Sequence, residues 1–105
     1  MNIMQMMKQA QQLQSKMETM QAELEAIEVD GQSGGGLVKV ILSGKMSMKS
    51  VRIDPSLLKA DEGEILEDLI LAAHQDAKVK AERILQEKMQ EATGGLPIPP
   101  GLKLF

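Results

Sequence analysis

Apolar residues recur at Ile3, Met6, Ala10, Leu13, Met17, Met20, Leu24 and Ile27, in alternating steps of three and four. That 3.5-residue period predicts a helix that lays one narrow seam along a partner helix. Neither Gly nor Pro interrupts it, and good helix formers fill it. At about 1.5 Å per residue the helix is roughly 36 Å long, more than a small following domain covers. Past Ile27 the period changes. Asp30-Gly31 and Ser33-Gly34-Gly35-Gly36 read as breakers, with Val29 in a short segment of strand character. Leu37 to Leu42 is β-branched and apolar, a strand with Val38, Val40 and Leu42 on one face and Leu37, Lys39 and Ile41 on the other. Neither face is cleanly polar, so both are expected to be partly covered. Ser43-Gly44-Lys45 signals a hairpin turn, and Met46 to Ile53 returns with Val51 and Ile53 inward and a bulge near Lys49-Ser50. Asp54-Pro55-Ser56 ends the strand and caps a short turn through Leu57 and Leu58.

A second helix is expected from about Asp61, where Asp61 and Glu64 resemble a capping box, to about Thr93, before Gly94-Gly95. Its first half is apolar over a wide arc (Ile65, Leu66, Leu69, Ile70, Ala72, Ala73), which predicts a position between the sheet and another helix. Its second half narrows to Ala77, Ala81, Ile84 and Leu85, a helix covered on one side. Residues 94–105 hold three prolines and cannot be helical; an extended tail whose apolar residues dock on a neighbouring surface is expected. The fold class is α+β, in one domain spanning 1–105: helix about 3–27, three-stranded antiparallel sheet about 28–54, helix about 61–93, tail 94–105.

Composition removes most chemistry. The chain has 105 residues, no Cys, one Phe and neither Trp nor Tyr. Disulfides, thiolate metal sites and Cys nucleophiles are excluded, and nine methionines make the core soft. The absence of Cys, of a signal-like N-terminal run and of a stretch near the roughly 20 apolar residues of a membrane span points to the cytoplasm. The net charge of −3 hides a polarity. Residues 1–17 hold Lys8 and Lys16 and no acid, whereas residues 18–30 hold Glu18, Glu23, Glu25, Glu28 and Asp30 and no base. This opposes the helix macrodipole at a few tenths of a kcal/mol per charge. Two readings stand: loosely selected surface charge, or an N-terminal end kept positive to meet an anion. The second helix runs from six acids in residues 61–76 to Lys78, Lys80, Arg83 and Lys88, in agreement with its dipole.

His74, the only histidine, sits at the edge of the stripe of Ile70, Ala77 and Ala81 and has no partner for a triad. The glycine run leads into a strand, not into the helix N-terminus a phosphate loop needs. Met17 and Met20 belong to the seam, so packing explains them better than copper binding. No enzyme activity, metal, cofactor or small-molecule substrate is expected. Without aromatic platforms, stacking on single strands is disfavoured, but backbone-directed duplex binding needs only positioned Lys, Arg, Gln and helix ends. Antiparallel helices would bring Lys8 and Lys16 toward the same end as Lys78, Arg83 and Lys88, and these five are the candidate DNA-binding residues. Lys39, Lys45, Lys49 and Arg52 form a second candidate patch on the hairpin. The rival class is a protein-interaction or scaffold module whose seam binds other proteins and whose acidic charge deters DNA.

Met7-Lys8-Gln9-Ala10-Gln11-Gln12, Gly35 to Val40, Ile53-Asp54-Pro55-Ser56-Leu57-Leu58, Leu66 to Ile70, Asp76-Ala77 and the late Pro99-Pro100-Gly101 occur in this order along nearly the whole chain. Together they resemble the YbaB/EbfC family of bacterial nucleoid-associated DNA-binding proteins. The resemblance implies a tweezer-like homodimer with a shared sheet region and projecting helices, double-stranded DNA as partner, a nucleoid location and no enzymatic activity. Sequence specificity does not transfer with it. A Gly-rich leader often found before the first helix is missing, which is expected to alter contacts at the helix tip, and Gln75 stands where Asn is common.

Overall fold

The computed structural model describes residues 2–93. Helix α1 spans Ile3–Ala26, strands β1, β2 and β3 span Glu28–Ser33, Val38–Ser43 and Met48–Ile53, and helix α2 spans Gly63–Thr93. Short 3-10 turns at Gly34–Gly36, Pro55–Leu57 and Ala60–Glu62 join them. The strands form one antiparallel sheet in the order β1-β2-β3. The expected α+β class and order of elements are therefore those of the folded chain.

β1 runs straight through Asp30-Gly31, which composition marks as a break. Gly31 is in the strand for a packing reason: a Cβ there would lie 2.1 Å from the carbonyl oxygen of Ala73 and 2.6 Å from the Ala77 Cβ. Backbone of β1 and backbone of α2 touch, which only Gly facing Ala permits. Ala73, Ala77 and Ala81 are fully buried, and the first two make the main core with Val38, Val40, Leu42 and Leu57. The chain then turns through Gly34, Gly35 and Gly36, all at positive φ.

The hairpin turn is held by the buried Ser43, whose Oγ accepts from the backbone N–H groups of Lys45 (3.1 Å) and Ser47 (3.2 Å). Register passes from Ile41 opposite Ser50 to Leu42 opposite Met48, so Lys49 is the extra residue of a bulge, where expected. Asp54 caps the turn after β3, accepting from the Ser56 N–H at 2.9 Å, and that bond holds its carboxyl below the usual carboxylate range.

Three expectations are corrected. Val51 pairs with Val40 and so lies on the inner side of the sheet, yet it is 47% exposed, because α2 crosses β1 and β2 and stops short of β3. On α2 the first half is not wedged between the sheet and another helix, whereas the one-sided cover expected of the second half is found. The first half packs on the sheet and leaves Ile65 and Leu71 exposed, while the second half, through Ile84, Leu85, Met89 and Ala92, meets α1. Asp61 lies inside the 3-10 turn Ala60–Glu62, not in a capping position ahead of a helix that begins at Gly63. The tail expected at 94–105 lies outside the described residues.

Candidate nucleic-acid interface

α1 divides into two halves. Met17, Met20 and Leu24 are buried against α2, with Ile27 partly covered beside them. Every described residue up to Lys16 is exposed, including the seam positions Ile3, Met6, Ala10 and Leu13. The predicted seam therefore finds an intrachain partner over half its length. The other half, about 20 Å of helix, projects beyond α2. Its start is fixed by Asn2, whose Oδ1 accepts from the Gln5 N–H at 2.8 Å. Helix spacing of about 100° per residue gives this half two sides: Ile3, Met6, Met7, Ala10 and Leu13 on one, Gln5, Lys8, Gln9, Gln12 and Lys16 around the other.

The acidic end of α1 is embedded in lysines. The Lys49 ammonium donates to the Glu25 carbonyl oxygen at 2.7 Å, and Gly44 donates its N–H to the Leu24 carbonyl at 2.8 Å. Both carbonyls are among the last four of the helix, which have no intrahelical partner. Lys45 approaches the Glu25 carboxylate at 3.9 Å, and Lys88 pairs with Glu23 at 3.0 Å. The hydrogen bond and charge of Glu23 raise the Lys88 pKa above its ordinary value, against a smaller opposing effect of desolvation. Part of the candidate hairpin patch and one of the five candidate helix cations thus serve the fold.

A second set of charges stitches β1 to α2. Asp76 accepts from the Gln32 backbone N–H at 3.0 Å, while Lys80 donates to the Asp30 carbonyl at 3.0 Å and to Asp76 at 3.2 Å. The Gln32 bond first, then the Lys80 bond, lowers the Asp76 pKa. These contacts occupy backbone groups on the outer edge of β1, which a free edge would offer to another strand. Neither this clamp nor the Lys49 cap is visible in sequence beyond the four-residue spacing of Asp76 and Lys80.

The remaining candidates are unequal. Among the described residues Lys8, Lys16, Lys78 and Arg83 make no ion pair. Lys16 lines an open groove of about 280 Å³ between the helices together with Lys88, Glu23 and Glu91, so the structure does bring these two cations to one place. Lys78 and Arg83 are five residues apart on α2, about 140° around the helix, and point to different sides. The same groove carries two carboxylates and no buried unpaired polar group, and no cluster of His, Cys, Asp or Glu fit for a metal occurs among the described residues.

A family model described as the YbaB/EbfC DNA-binding family matches residues 1–96. The chain belongs to this family. A nucleoid-associated protein of Rhodopseudomonas palustris (strain TIE-1) is 68% identical over 99 residues, covering 94% of this chain and 93% of its own. A nucleoid-associated protein of Rhizobium meliloti (strain 1021) is 62% identical over 103 residues, covering 98% and 96%. The fold is shared with an uncharacterized protein of Helicobacter pylori whose crystal structure superposes with a TM-score of 0.82 at 20% identity, over 90% of this chain and 99% of that one. The chain is thus a bacterial nucleoid-associated DNA-binding protein and not an enzyme. No helix among the described residues is long and apolar enough to cross a membrane.

Proposed function

We propose that this YbaB/EbfC family member binds duplex DNA in the nucleoid as a homodimer, mainly through phosphate contacts, and so influences nucleoid organisation and gene expression. One observation carries the reading: among the described residues the projecting half of α1 is exposed, free of acid, and bears Lys8 and Lys16 without an ion pair, whereas the lysines near the acidic end are engaged. Lys78 and Arg83 add cations on α2. Lys88 contributes only by sharing itself with Glu23. The dimer is supported by the half-exposed Met48 and Val51, apolar side chains on the inner face of β3 that α2 does not reach. A second copy covering them would set two projecting α1 helices on one body.

The test is fluorescence anisotropy with random and fixed-sequence duplexes over a salt series, with mass measured alongside. If both protomers engage phosphate through Lys8 and Lys16, these four contacts alone give a log–log salt slope of about −3.6, a loss of roughly 150-fold for a fourfold rise in salt. Charge reversal by Lys8→Glu and Lys16→Glu together is expected to abolish binding and leave the dimer intact. Unchanged affinity in that variant, or affinity indifferent to salt, would refute the phosphate reading.

A further inference from the structure

We propose that Glu23 and Glu91 restrain DNA binding at the groove between α1 and α2 by holding Lys88 away from phosphate. The inference rests on the phosphate reading above and names the residues that limit its strength.

On α1, Gln9, Gln12, Lys16, Thr19 and Glu23 share one side, within about 80° of arc. The donors of the projecting half therefore lead along the helix into the groove, whose polar walls are Ser15, Lys16, Thr19 and Glu23 on α1 and Lys88 and Glu91 on α2. Glu18 lies about 160° around the helix from Lys16, so Glu23 is the first acid on this line. Two lysines and two hydroxyls are the donors that DNA phosphate takes. Two carboxylates in the same groove cancel the charge of the lysines.

The two lysines are not equivalent. Lys16 makes no ion pair among the described residues. The Lys88 ammonium sits 3.0 Å from a Glu23 carboxylate oxygen and 4.0 Å from one of Glu91, with its side chain 29% exposed. A phosphate oxygen that enters must replace Glu23 at this ammonium. One charge-assisted hydrogen bond is then exchanged for another, with little gain. The displaced carboxylate is left facing the phosphate, and like charges brought together at an interface are costly. Holding α1 to α2 accounts for Glu23, which pairs across the two helices. It does not account for Glu91, three residues from Lys88 on the same helix, which adds negative charge and joins no two elements.

The test uses the full-length chain, a random-sequence duplex and fluorescence anisotropy over a salt series. Glu23→Gln with Glu91→Gln keeps the size of both side chains and frees Lys88. One added phosphate contact steepens the log–log salt slope by about 0.9 per protomer, which is about eightfold tighter binding at 0.1 M salt if the contact is worth nothing at 1 M. Adding Lys88→Met to this variant is expected to return slope and affinity to the parent values. The control, Glu64→Gln with Glu67→Gln, makes the same change in net charge roughly 30 Å or more along α2, well beyond the screening length of about 10 Å, and is expected to stay within about twofold of the parent. If Glu23→Gln lowers the melting temperature by more than a few degrees, Glu91→Gln alone carries the test. Its side chain is 74% exposed, and a gain of about twofold is expected. Affinity unchanged by loss of the acids, an equal gain in the control, or a gain that survives Lys88→Met would each overturn the proposal. Parent binding that is indifferent to salt would instead strike the phosphate reading itself, so the two failures are told apart.

Discussion

Gly31 is the point at which the contact between sheet and helix is most exposed to a single atom. Replacement by Ala puts a Cβ 2.1 Å from the Ala73 carbonyl oxygen and 2.6 Å from both the Ala77 Cβ and its backbone nitrogen. None of these is a side-chain end that can swing away, so β1 and α2 must separate by about 1 Å to restore ordinary contact. Overpacking of this kind costs about 1–3 kcal/mol. The separation also stretches the bonds of Gln32 to Asp76 and of the Ser33 hydroxyl to the Leu69 carbonyl, which lie along the same junction. The total is near 3 kcal/mol, or a fall in Tm of about 12–20 °C for a domain of this size. Two glycines serve as references. Gly35→Ala meets nothing within 4 Å but keeps a φ of +69°, and is expected to cost about 1 kcal/mol. Gly63→Ala meets nothing and has helical φ and ψ of −58° and −43°, and is expected to stabilise by about 0.5–1 kcal/mol. Far-UV circular dichroism melts at one fixed protomer concentration, which an associating protein requires, give the order. If Gly31→Ala melts within a few degrees of Gly35→Ala, the backbone contact of β1 with α2 is not as close as described.

Lys49→Met removes the ammonium that caps the Glu25 carbonyl and is expected to cost about 0.5–1 kcal/mol in urea unfolding, with the m-value unchanged. The Asp76 pKa is depressed in the folded state, so its contribution is fully present above the unfolded carboxylate value of about 3.9 and is lost as pH falls through the folded value. Asp76→Asn should therefore lower stability at neutral pH and flatten its decline below about pH 4, as read from urea midpoints across pH. Met46, the one described non-glycine residue at positive φ (70°), should gain about 0.5–1 kcal/mol on Met46→Gly, seen as a higher urea midpoint.

Features that depend on near neighbours are legible in the chain. The β2–β3 hairpin, the bulge at Lys49 and the Asp54 cap each arise from a few adjacent residues, and each is where local chemistry puts it. Features that depend on distant coverage are not. Alternation correctly sets Val51 on the inner face but cannot say that α2 stops at β2. The same 3.5-residue period marks Met6 and Met20, one exposed and one buried, because it reports a helix's apolar side and not the length of its partner. Gly31 reads as a break because composition does not reveal that a helix backbone presses on it. Of the candidate cations, Lys8 and Lys16 stand free of ion pairs among the described residues, while Lys88 and the hairpin's Lys45 and Lys49 meet acids or carbonyls contributed by α1.

The reversed charge of α1 takes on a different meaning once those contacts are known. A macrodipole acts over the first and last turns of a helix and little beyond. Lys8 and Lys16 lie past the first turn, which starts at Ile3, so their positive charge costs the helix almost nothing. The misplaced charges are Glu23 and Glu25, both in the last turn. They are also the residues that Lys88 and Lys45 meet, while Lys49 caps the carbonyl of Glu25. The acids therefore have a structural use: they recruit cations from the hairpin and from α2 to the junction of helix and sheet, where the ends of α1 and of the hairpin must be held together. No such use exists for the lysines of the projecting half, which among the described residues touch no acid and cap no carbonyl. Misplacement is thus not what singles out Lys8 and Lys16. Their lack of an ion pair among the described residues, on a half-helix that carries no acid of its own, is what supports the proposal of an external anion as their partner.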